Sequence, residues 1–352
     1  MDEITKNRIY ENIAAPLYEW YEAAARDLPW RKDREPYHVW LSEIMLQQTR
    51  VEAVRAYYLR FLESLPTLAS LTEADGGILL KLWQGLGYYN RARNLQKCAK
   101  MLVQEYDGRF PEDYEALLRL PGVGEYTAGA IASICFDKPT PAVDGNVLRV
   151  IARLMNDSRC VDDAAVKREV RERLARVYPQ GKCGEFTQAL MELGACVCVP
   201  NGAPKCHACP LGTLCLAFAN GTQADLPVKA KKSPRKIEEL TVFVFAHEGA
   251  IALQKREEKG VLHGLPELPN VKGHLDESQA IAAARGLEVE VAGIEKCIHR
   301  KHVFTHIEWH MRCYFVRAEA CSGPFAWADS EALAKKYALP TAFQKLLDGI
   351  VV

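Results

Sequence analysis

Residues 118–154 read LRLPGVGEYTAGAIASICFDKPTPAVDGNVLRVIARL, and two halves of this stretch need each other. In the first, Leu120-Pro121-Gly122-Val123-Gly124 is a tight glycine turn opening onto an apolar helix, with Ala128, Ile131, Ala132 and Ile134 at near-helical spacing. Glycine at positions 122 and 124 frees the backbone to turn sharply and leaves unpaired N–H groups at a helix start, where a phosphate is well held. In the second, Val143-Asp144-Gly145-Asn146 precedes a helix whose Val147, Val150, Ile151 and Leu154 form one apolar stripe. Asp144 therefore stands at or near an N-cap, where orphan N–H groups and the helix dipole favour its ionised form. Separately, a Gly-Val-Gly turn is ordinary loop chemistry and an aspartate before a helix is ordinarily a structural cap. Together they form a far more specific pattern.

The rest of the chain sets the frame. At 352 residues it is long enough for a sizeable core and about two domains. Lys plus Arg and Asp plus Glu number 45 each, and the pI is about 7.1, so composition alone does not announce a nucleic-acid binder. The N-terminus, MDEITKNRIYENIAAP, is polar and mixed in charge, with no secretory pattern, and no apolar run approaches membrane-spanning length. A cytoplasmic, bacterial protein without membrane contact is the expectation. Twelve cysteines in such a chain are expected to stay reduced, with any cluster serving a metal.

Outward from the central stretch, residues 8–26 have helical periodicity and end at Leu28-Pro29-Trp30-Arg31. A helix starting near Pro36 in PYHVWLSEIMLQQTR places Glu43 among Trp40, Leu41, Ile44 and Leu46, and burial there raises its pKa. Residues 51–70 read as one helix. Beyond them, Leu82–Leu95 interleaves Tyr88, Tyr89, Arg91 and Arg93 with glycines, a composition that suits a surface tracking a nucleic-acid backbone. Residues 162–178 form a charged scaffold helix, and Phe186–Ala195 a further one. Cys198, Cys206, Cys209 and Cys215 then lie on a Gly- and Pro-rich loop. This four-cysteine set suits zinc or a [4Fe–4S] cluster, and spacing alone leaves both open. Lys205, between the ligands, is placed to touch phosphate. Residues 226–238 read as a basic, solvated linker. From Glu239 onward, Thr241–Ala246 is strand-like, Ile251 and Leu253 suggest a second strand, and 276–286 is an alanine-rich helix. Ile307, Trp309, Met311, Cys313 and Phe315 alternate with His306, Glu308, His310, Arg312 and Tyr314, giving one apolar and one polar face.

The hairpin, the loop and Asp144 together resemble the helix-hairpin-helix DNA glycosylase superfamily. The resemblance extends over most of the chain and narrows to the mismatch adenine glycosylases of the MutY family. It implies an all-α helix-hairpin-helix glycosylase domain over 1–225 with an iron–sulfur loop at 198–215, the linker at 226–238, and a C-terminal α+β Nudix-like domain over 239–352. It assigns Glu43, within WLSEIMLQQT, to the catalytic acid, and Asp144 to the catalytic aspartate. Trp30, Arg31, Leu46 and Gln188 border the adenine pocket. Gln48 fills the gap left by an extruded base, and Tyr88 wedges between bases. The resemblance favours [4Fe–4S] on Cys198, Cys206, Cys209 and Cys215, although the first spacing is one residue longer than the family's. Cys196 matches an apolar family position and is expected buried. Phe304-Thr305-His306 falls on the Phe-Ser-His loop that reads the opposite, oxidised guanine. The glutamate box of magnesium-dependent Nudix hydrolases is missing after Gly264-Leu265-Pro266.

Glycosidic cleavage of a deoxyadenosine needs an acid for the leaving base and a negative charge beside the sugar cation. Glu43, apolar and protonated, and Asp144, at a helix start and ionised, meet that need across 101 positions of sequence. Bifunctional relatives carry a lysine just after the hairpin; here Tyr126 follows Gly124-Glu125, which implies a monofunctional enzyme in which Tyr126 orients an acid. Gly122, Gly124, Arg91, Arg93 and Lys205 are the expected phosphate contacts. The expected partner of this monomer is double-stranded DNA with adenine opposite 8-oxoguanine or guanine. Two other readings compete: an endonuclease-III-like pyrimidine glycosylase and lyase, which the tyrosine disfavours, and a non-catalytic DNA-binding protein, which the two carboxylates disfavour.

Overall fold

The computed structural model describes residues 3–231 and 233–348; residues 1–2, 232 and 349–352 of the expected domains and linker lie outside it. The chain divides into two compact units, Met1–Glu73 with Arg93–Lys231, and Ala74–Ala92 with Lys232–Val352. The first is helical throughout its described secondary structure. The periodicity at 8–26 is carried by two helices, Glu3–Glu11 and Ala14–Ala24, and that at 51–70 by Val51–Ser64 and Leu68–Glu73. In both cases apolar spacing persists across a short break that periodicity alone does not register. Pro36 opens the Pro36–Leu46 helix, where its missing N–H would have had no intrahelical partner.

At the centre of this unit, the Glu125–Phe136 helix packs against both Pro36–Leu46 and Cys183–Cys196, and Gly145–Leu154 packs against Cys183–Cys196. The last approach depends on Gly194, because a Cβ there would lie 2.6 Å from Asn146 Cβ. Ile13, Leu17, Val147, Ile151, Phe186 and Leu190 share one core, and burying a side chain of this size contributes about 1.5–3 kcal/mol. These contacts bring residues 36–46, 125–146 and 183–196 to one place, which no local propensity dictates.

The second unit is built on a mixed sheet. Its strands are β1 (Lys236–His247), β2 (Ala250–Lys255), β3 (Pro266–Glu267), β4 (Asn270–Lys272), β5 (Val291–Val303), β6 (Ile307–Ala318) and β7 (Ala326–Ala328). Their order is β3-β2-β1-β6-β5, with β4 on β1 and β7 on β2. β1 runs parallel to β6, from Lys236 opposite Ile307 to Ala246 opposite Arg317, and β5 and β6 form an antiparallel hairpin. The period of two places Leu240, Val242, Val244, Trp309 and Met311 in a core with Phe343 and Leu346 of the Thr341–Leu347 helix. The opposite face, with Phe243, Phe245, Tyr314 and Val316, is covered by Ala280 and Ala284 of the Glu277–Gly286 helix. The expected polar face of β6 is thus polar only in its first half; Tyr314 is buried because the sheet is covered on both sides.

Two boundaries differ from the sequence reading. The expected linker is anchored at its start, where Leu226 is buried, its carbonyl accepts from Arg153 Nε at 2.9 Å, and Val228 O accepts from Val161 N at 2.9 Å; β1 begins at its end, at Lys236. Residues 74–92, read as part of the N-terminal domain, cluster with the sheet unit. Asp75 caps the Gly76–Leu82 helix, Lys81 Nζ donates to Leu333 O and Tyr337 O at 3.0 and 3.1 Å, and Gln84 Nε2 donates to Leu339 O at 2.8 Å. No helix of the described residues is long and apolar enough to cross a membrane.

Candidate active site

A cavity of about 460 Å³ opens in the helical unit, and Trp30, Arg31, Glu43, Leu46, Gln48, Tyr126, Asp144 and Gln188 all line it. Glu43 sits late in the Pro36–Leu46 helix with only 6% of its surface exposed. Burial pushes its pKa up to about 7, with the Asp144 charge adding to the rise; a hydrogen bond donated by the Tyr126 hydroxyl to Oε2 and the positive charge of Arg31 oppose it. Tyr126 belongs to the Glu125–Phe136 helix. Burial first, then the neighbouring carboxylates, hold its hydroxyl far above the ordinary tyrosine range, so it remains a donor.

Asp144 is the N-cap of Gly145–Leu154. Its Oδ1 accepts from Asn146 N and Val147 N at 2.9 and 2.8 Å, and its Oδ2 accepts from Asn146 Nδ2 at 2.7 Å. The sequence reading has the helix start favouring ionisation, and these three N–H donors do so. Burial nevertheless outweighs them and moves the carboxyl above its ordinary value. An aspartate accepting only from N–H groups is arranged as a carboxylate, but one held ionised at a cost in desolvation.

The cavity's other wall comes from the Cys183–Cys196 helix. Glu192, fully buried, accepts from Arg26 Nε and Nη2 at 2.7 and 2.8 Å and from Arg31 Nη2 at 2.8 Å. Burial raises its pKa, but the hydrogen bonds from Arg26 and Arg31 and their charges bring it down to about 2. Arg31 lies over the Tyr21 ring, 5.6 Å from its centroid. Arg26, Glu192, Tyr21 and Asn146 were missed in the sequence. Glu192 stands four residues after Gln188, on the same helix face, but that spacing alone does not separate it from a solvent-exposed glutamate.

The remaining expected sites lie elsewhere. Gly122, in the turn before Glu125–Phe136, has φ +77°, and a Cβ there would lie 2.7 Å from Asn94 Cβ. Gly124 has φ −99° and a Cβ there would meet nothing, so the fold demands glycine at the first position and not at the second. Gln48 and Tyr88 are both exposed and both in the left-handed region, at φ 58° and 47°, a conformation that non-glycine residues adopt at a cost. Arg91, expected on phosphate, donates Nη2 to Leu86 O and Gly87 O at 3.0 and 3.2 Å and lies against the rings of Trp83 and Tyr88. Arg91 therefore shapes the turn that presents Tyr88. Burial lowers the pKa of Arg93, whereas Lys205 is exposed.

Phe304, Thr305 and His306 form the turn between β5 and β6. The Phe304 ring packs on His302 and Trp309, leaving Thr305 and His306 exposed, and the Thr305 hydroxyl is 2.6 Å from the Tyr88 hydroxyl. Cys198, Cys206, Cys209 and Cys215 line a second, small cavity of about 30 Å³. Arg153 Nη1 donates to Cys198 Sγ at 3.3 Å. Among the described residues no three metal-binding side chains converge on a single ion-sized point. Cys196 is half-buried, not fully buried, with its thiol directed to Glu192 Oε1 at 3.5 Å, outside that cavity.

A helical unit with this hairpin, pocket and N-capping aspartate defines a class, and comparison with known proteins agrees. Residues 41–179 match the HhH-GPD superfamily of base excision DNA repair proteins, and residues 241–349 match the NUDIX domain. The structure of a thermostable thymine-DNA glycosylase superimposes with a TM-score of 0.56 at 29% identity, covering 61% of this chain and 99% of that one. The chain is therefore a base-excision DNA glycosylase of the helix-hairpin-helix class carrying a C-terminal NUDIX-type domain. Adenine DNA glycosylase of Buchnera aphidicola (subsp. Acyrthosiphon pisum, strain APS) is 33% identical over 86% of this chain and 85% of its own length. That of Arabidopsis thaliana is 36% identical over 88% of this chain, which spans 54% of the plant protein. The chain belongs to the adenine DNA glycosylase family.

Proposed function

We propose that this protein is a monofunctional glycosylase that excises adenine paired with 8-oxoguanine or guanine in double-stranded DNA, acting as a monomer. One observation carries the reading: two carboxyl groups, one buried and one half-buried, share a cavity but differ in environment, Glu43 with a pKa near neutrality among apolar neighbours and Asp144 bound by three N–H donors. Glu43 protonates the adenine ring, and the C1′–N9 bond breaks with its electron pair leaving on the base. Positive charge develops at C1′, where Asp144 stabilises or briefly traps it. Glu43, now a carboxylate, takes a proton from the attacking water and is restored. Tyr126 holds Glu43 in place by donating to one oxygen. Among the described residues lining the cavity there is no lysine, and without that amine no Schiff base forms and the backbone stays uncut.

The target base is flipped into the cavity, with Gln48 and Tyr88 occupying the vacated stack and Thr305 and His306 reading the opposite base. Exposed Lys205 and the first-turn N–H groups after Gly124, which no side chain caps, hold phosphates. The four cysteine side chains suit a [4Fe–4S] cluster. They line one small cavity, their thiolates are the donor type that such a cluster takes, and Arg153 offsets thiolate charge. When bound, the cluster supplies a structural clasp for the loop that presents Lys205.

The deciding experiment uses duplexes with one adenine opposite 8-oxoguanine, G, C or T, treated with alkali after incubation. Alkali-dependent cleavage opposite 8-oxoguanine, lost in Glu43→Gln, is the expected result. Cleavage without alkali, or a protein–DNA adduct trapped by borohydride, supports the lyase reading instead. No cleavage of any duplex by cluster-loaded protein leaves only DNA binding.

A further inference from the structure

Gln223 is a polar side chain fixed beside the cysteine cavity with one end unpartnered. It follows the Leu216–Asn220 helix, which Gly221 ends in the left-handed region at φ 71°. Before it, Thr222 N donates to Ala217 O at 2.9 Å and the Thr222 hydroxyl donates to Asn156 Oδ1 at 2.6 Å. After it, Asp225 N donates to Thr222 O at 3.0 Å and the Leu226 carbonyl accepts from Arg153. Gln223 therefore reaches the cavity of Cys198, Cys206, Cys209 and Cys215 from a pinned backbone. Its Oε1 is shut off from solvent and has no hydrogen-bond partner. Apart from the cysteines, Arg153 and Gln223 are the polar side chains among the described residues on that wall. Arg153 is already engaged by Leu226 O, Val199 O and Cys198 Sγ.

A buried amide end without a partner is costly. The group that fills the cavity decides which end turns inward, because a half-turn of the terminal torsion exchanges the carbonyl and the NH₂. Thiolate and sulfide sulfurs are anionic acceptors with no hydrogen to give. We infer that Gln223 turns its NH₂ toward the bound [4Fe–4S] cluster and donates to one of its sulfurs, a second donor beside Arg153 that raises the cluster's reduction potential. The inference rests on the [4Fe–4S] reading of the four cysteines. The reduced cluster carries one more negative charge than the oxidised one, so a donor to sulfur stabilises it more, and hydrogen bonds to the sulfurs are among the quantities that set such potentials. Gln223 does not line the cavity of Glu43 and Asp144, so its effect is read on the cluster and not on excision.

The test uses the whole chain isolated anaerobically, with iron and sulfide analysis establishing what the four cysteines hold. Redox titration then compares wild type with Gln223→Leu, which keeps much of the side-chain bulk and loses the donor. At one fixed applied potential the oxidised-to-reduced ratio should be about three- to tenfold higher in the variant, tenfold being about 59 mV for one electron. A second measurement needs no variant. Wild type carrying isotope-labelled glutamine side-chain nitrogen should show a coupling of that nitrogen to the cluster by pulsed EPR in the cluster's paramagnetic state, since Gln223 is the glutamine lining the cavity. A potential unchanged or raised in Gln223→Leu overturns the inference. So does the absence of the nitrogen coupling in wild type, which decides the matter where Gln223→Leu fails to hold a cluster. Either result leaves the cluster reading intact. Wild type that holds zinc, or neither iron nor sulfide, at the four cysteines overturns the inference and the cluster reading together.

Discussion

At the scale of single residues, the proposed chemistry turns on Glu43 being a carboxylic acid where most glutamates are charged. A group whose folded pKa is raised to about 7 delivers a proton below that pH and loses it above, so the alkaline limb of the single-turnover rate should fall near pH 7. The acid limb should come from Asp144, which must be ionised and whose carboxyl burial raises above its ordinary value. Tyr126→Phe removes a hydrogen bond that favours the charged form of Glu43. The alkaline limb should therefore move to higher pH in that variant, and a limb that stays or moves down would detach Tyr126 from Glu43. Linkage gives a second consequence. Folded Glu43 holds its proton between the unfolded pKa and about 7, so it destabilises the fold increasingly as pH rises through that window. Glu43→Gln should unfold at a higher temperature than wild type at pH 8, with the difference shrinking towards pH 5, as thermal melts at both values would show.

At the scale of elements, the hairpin separates two uses of glycine that look identical in LPGVG. Gly122→Ala places a Cβ against Asn94 at positive φ, and should cost about 1–3 kcal/mol of stability in denaturant unfolding. Gly124→Ala meets nothing. It should change stability by less than about 0.5 kcal/mol yet weaken duplex binding, because the added methyl stands where the proposed function puts a phosphate. Equal losses of stability in both variants would remove the argument for a phosphate at Gly124. The turn, the helix behind it and the capping role of Asp144 were legible because each rests on local chemistry: glycine conformations, an apolar stripe, a short acidic side chain before a helix. The helix carrying Glu43 was legible in the same way. Glu192 and its two arginines were not, because a fully buried carboxylate reads as a surface glutamate until tertiary packing brings residue 26 against residue 192. For Arg91, interleaving with tyrosines gave the expectation of phosphate, while its hold on Leu86 O and Gly87 O comes only with the folded turn.

At the scale of the whole molecule, the two carboxyl groups proposed to break the bond, Glu43 and Asp144, line the cavity of the helical unit, and exposed Thr305 and His306 lie in the sheet unit. Strand alternation made the sheet legible. The allegiance of residues 74–92 was not, since Lys81 and Gln84 bind backbone carbonyls of residues 333–339, about 250 positions away, and backbone carbonyls leave no trace in side-chain patterns. That allegiance places Tyr88 in hydrogen-bond contact with Thr305, so the expected wedge and the expected opposite-base reader stand in one unit. The separation predicts two kinds of variant. Glu43→Gln should abolish excision opposite 8-oxoguanine and opposite guanine alike. Thr305→Val keeps the side-chain volume but removes the hydroxyl, and the cavity of the helical unit contains neither Thr305 nor Tyr88. Its adenine excision opposite guanine should stay within about twofold of wild type, while the preference for 8-oxoguanine falls by about fivefold or more, the worth of roughly one lost hydrogen bond. Tyr88→Phe breaks the same contact from the other side, so the double variant should lose little more than either single one. Additive losses would mean that the two hydroxyls act on the DNA independently. A fall in excision opposite both bases would place Thr305 in the chemistry itself.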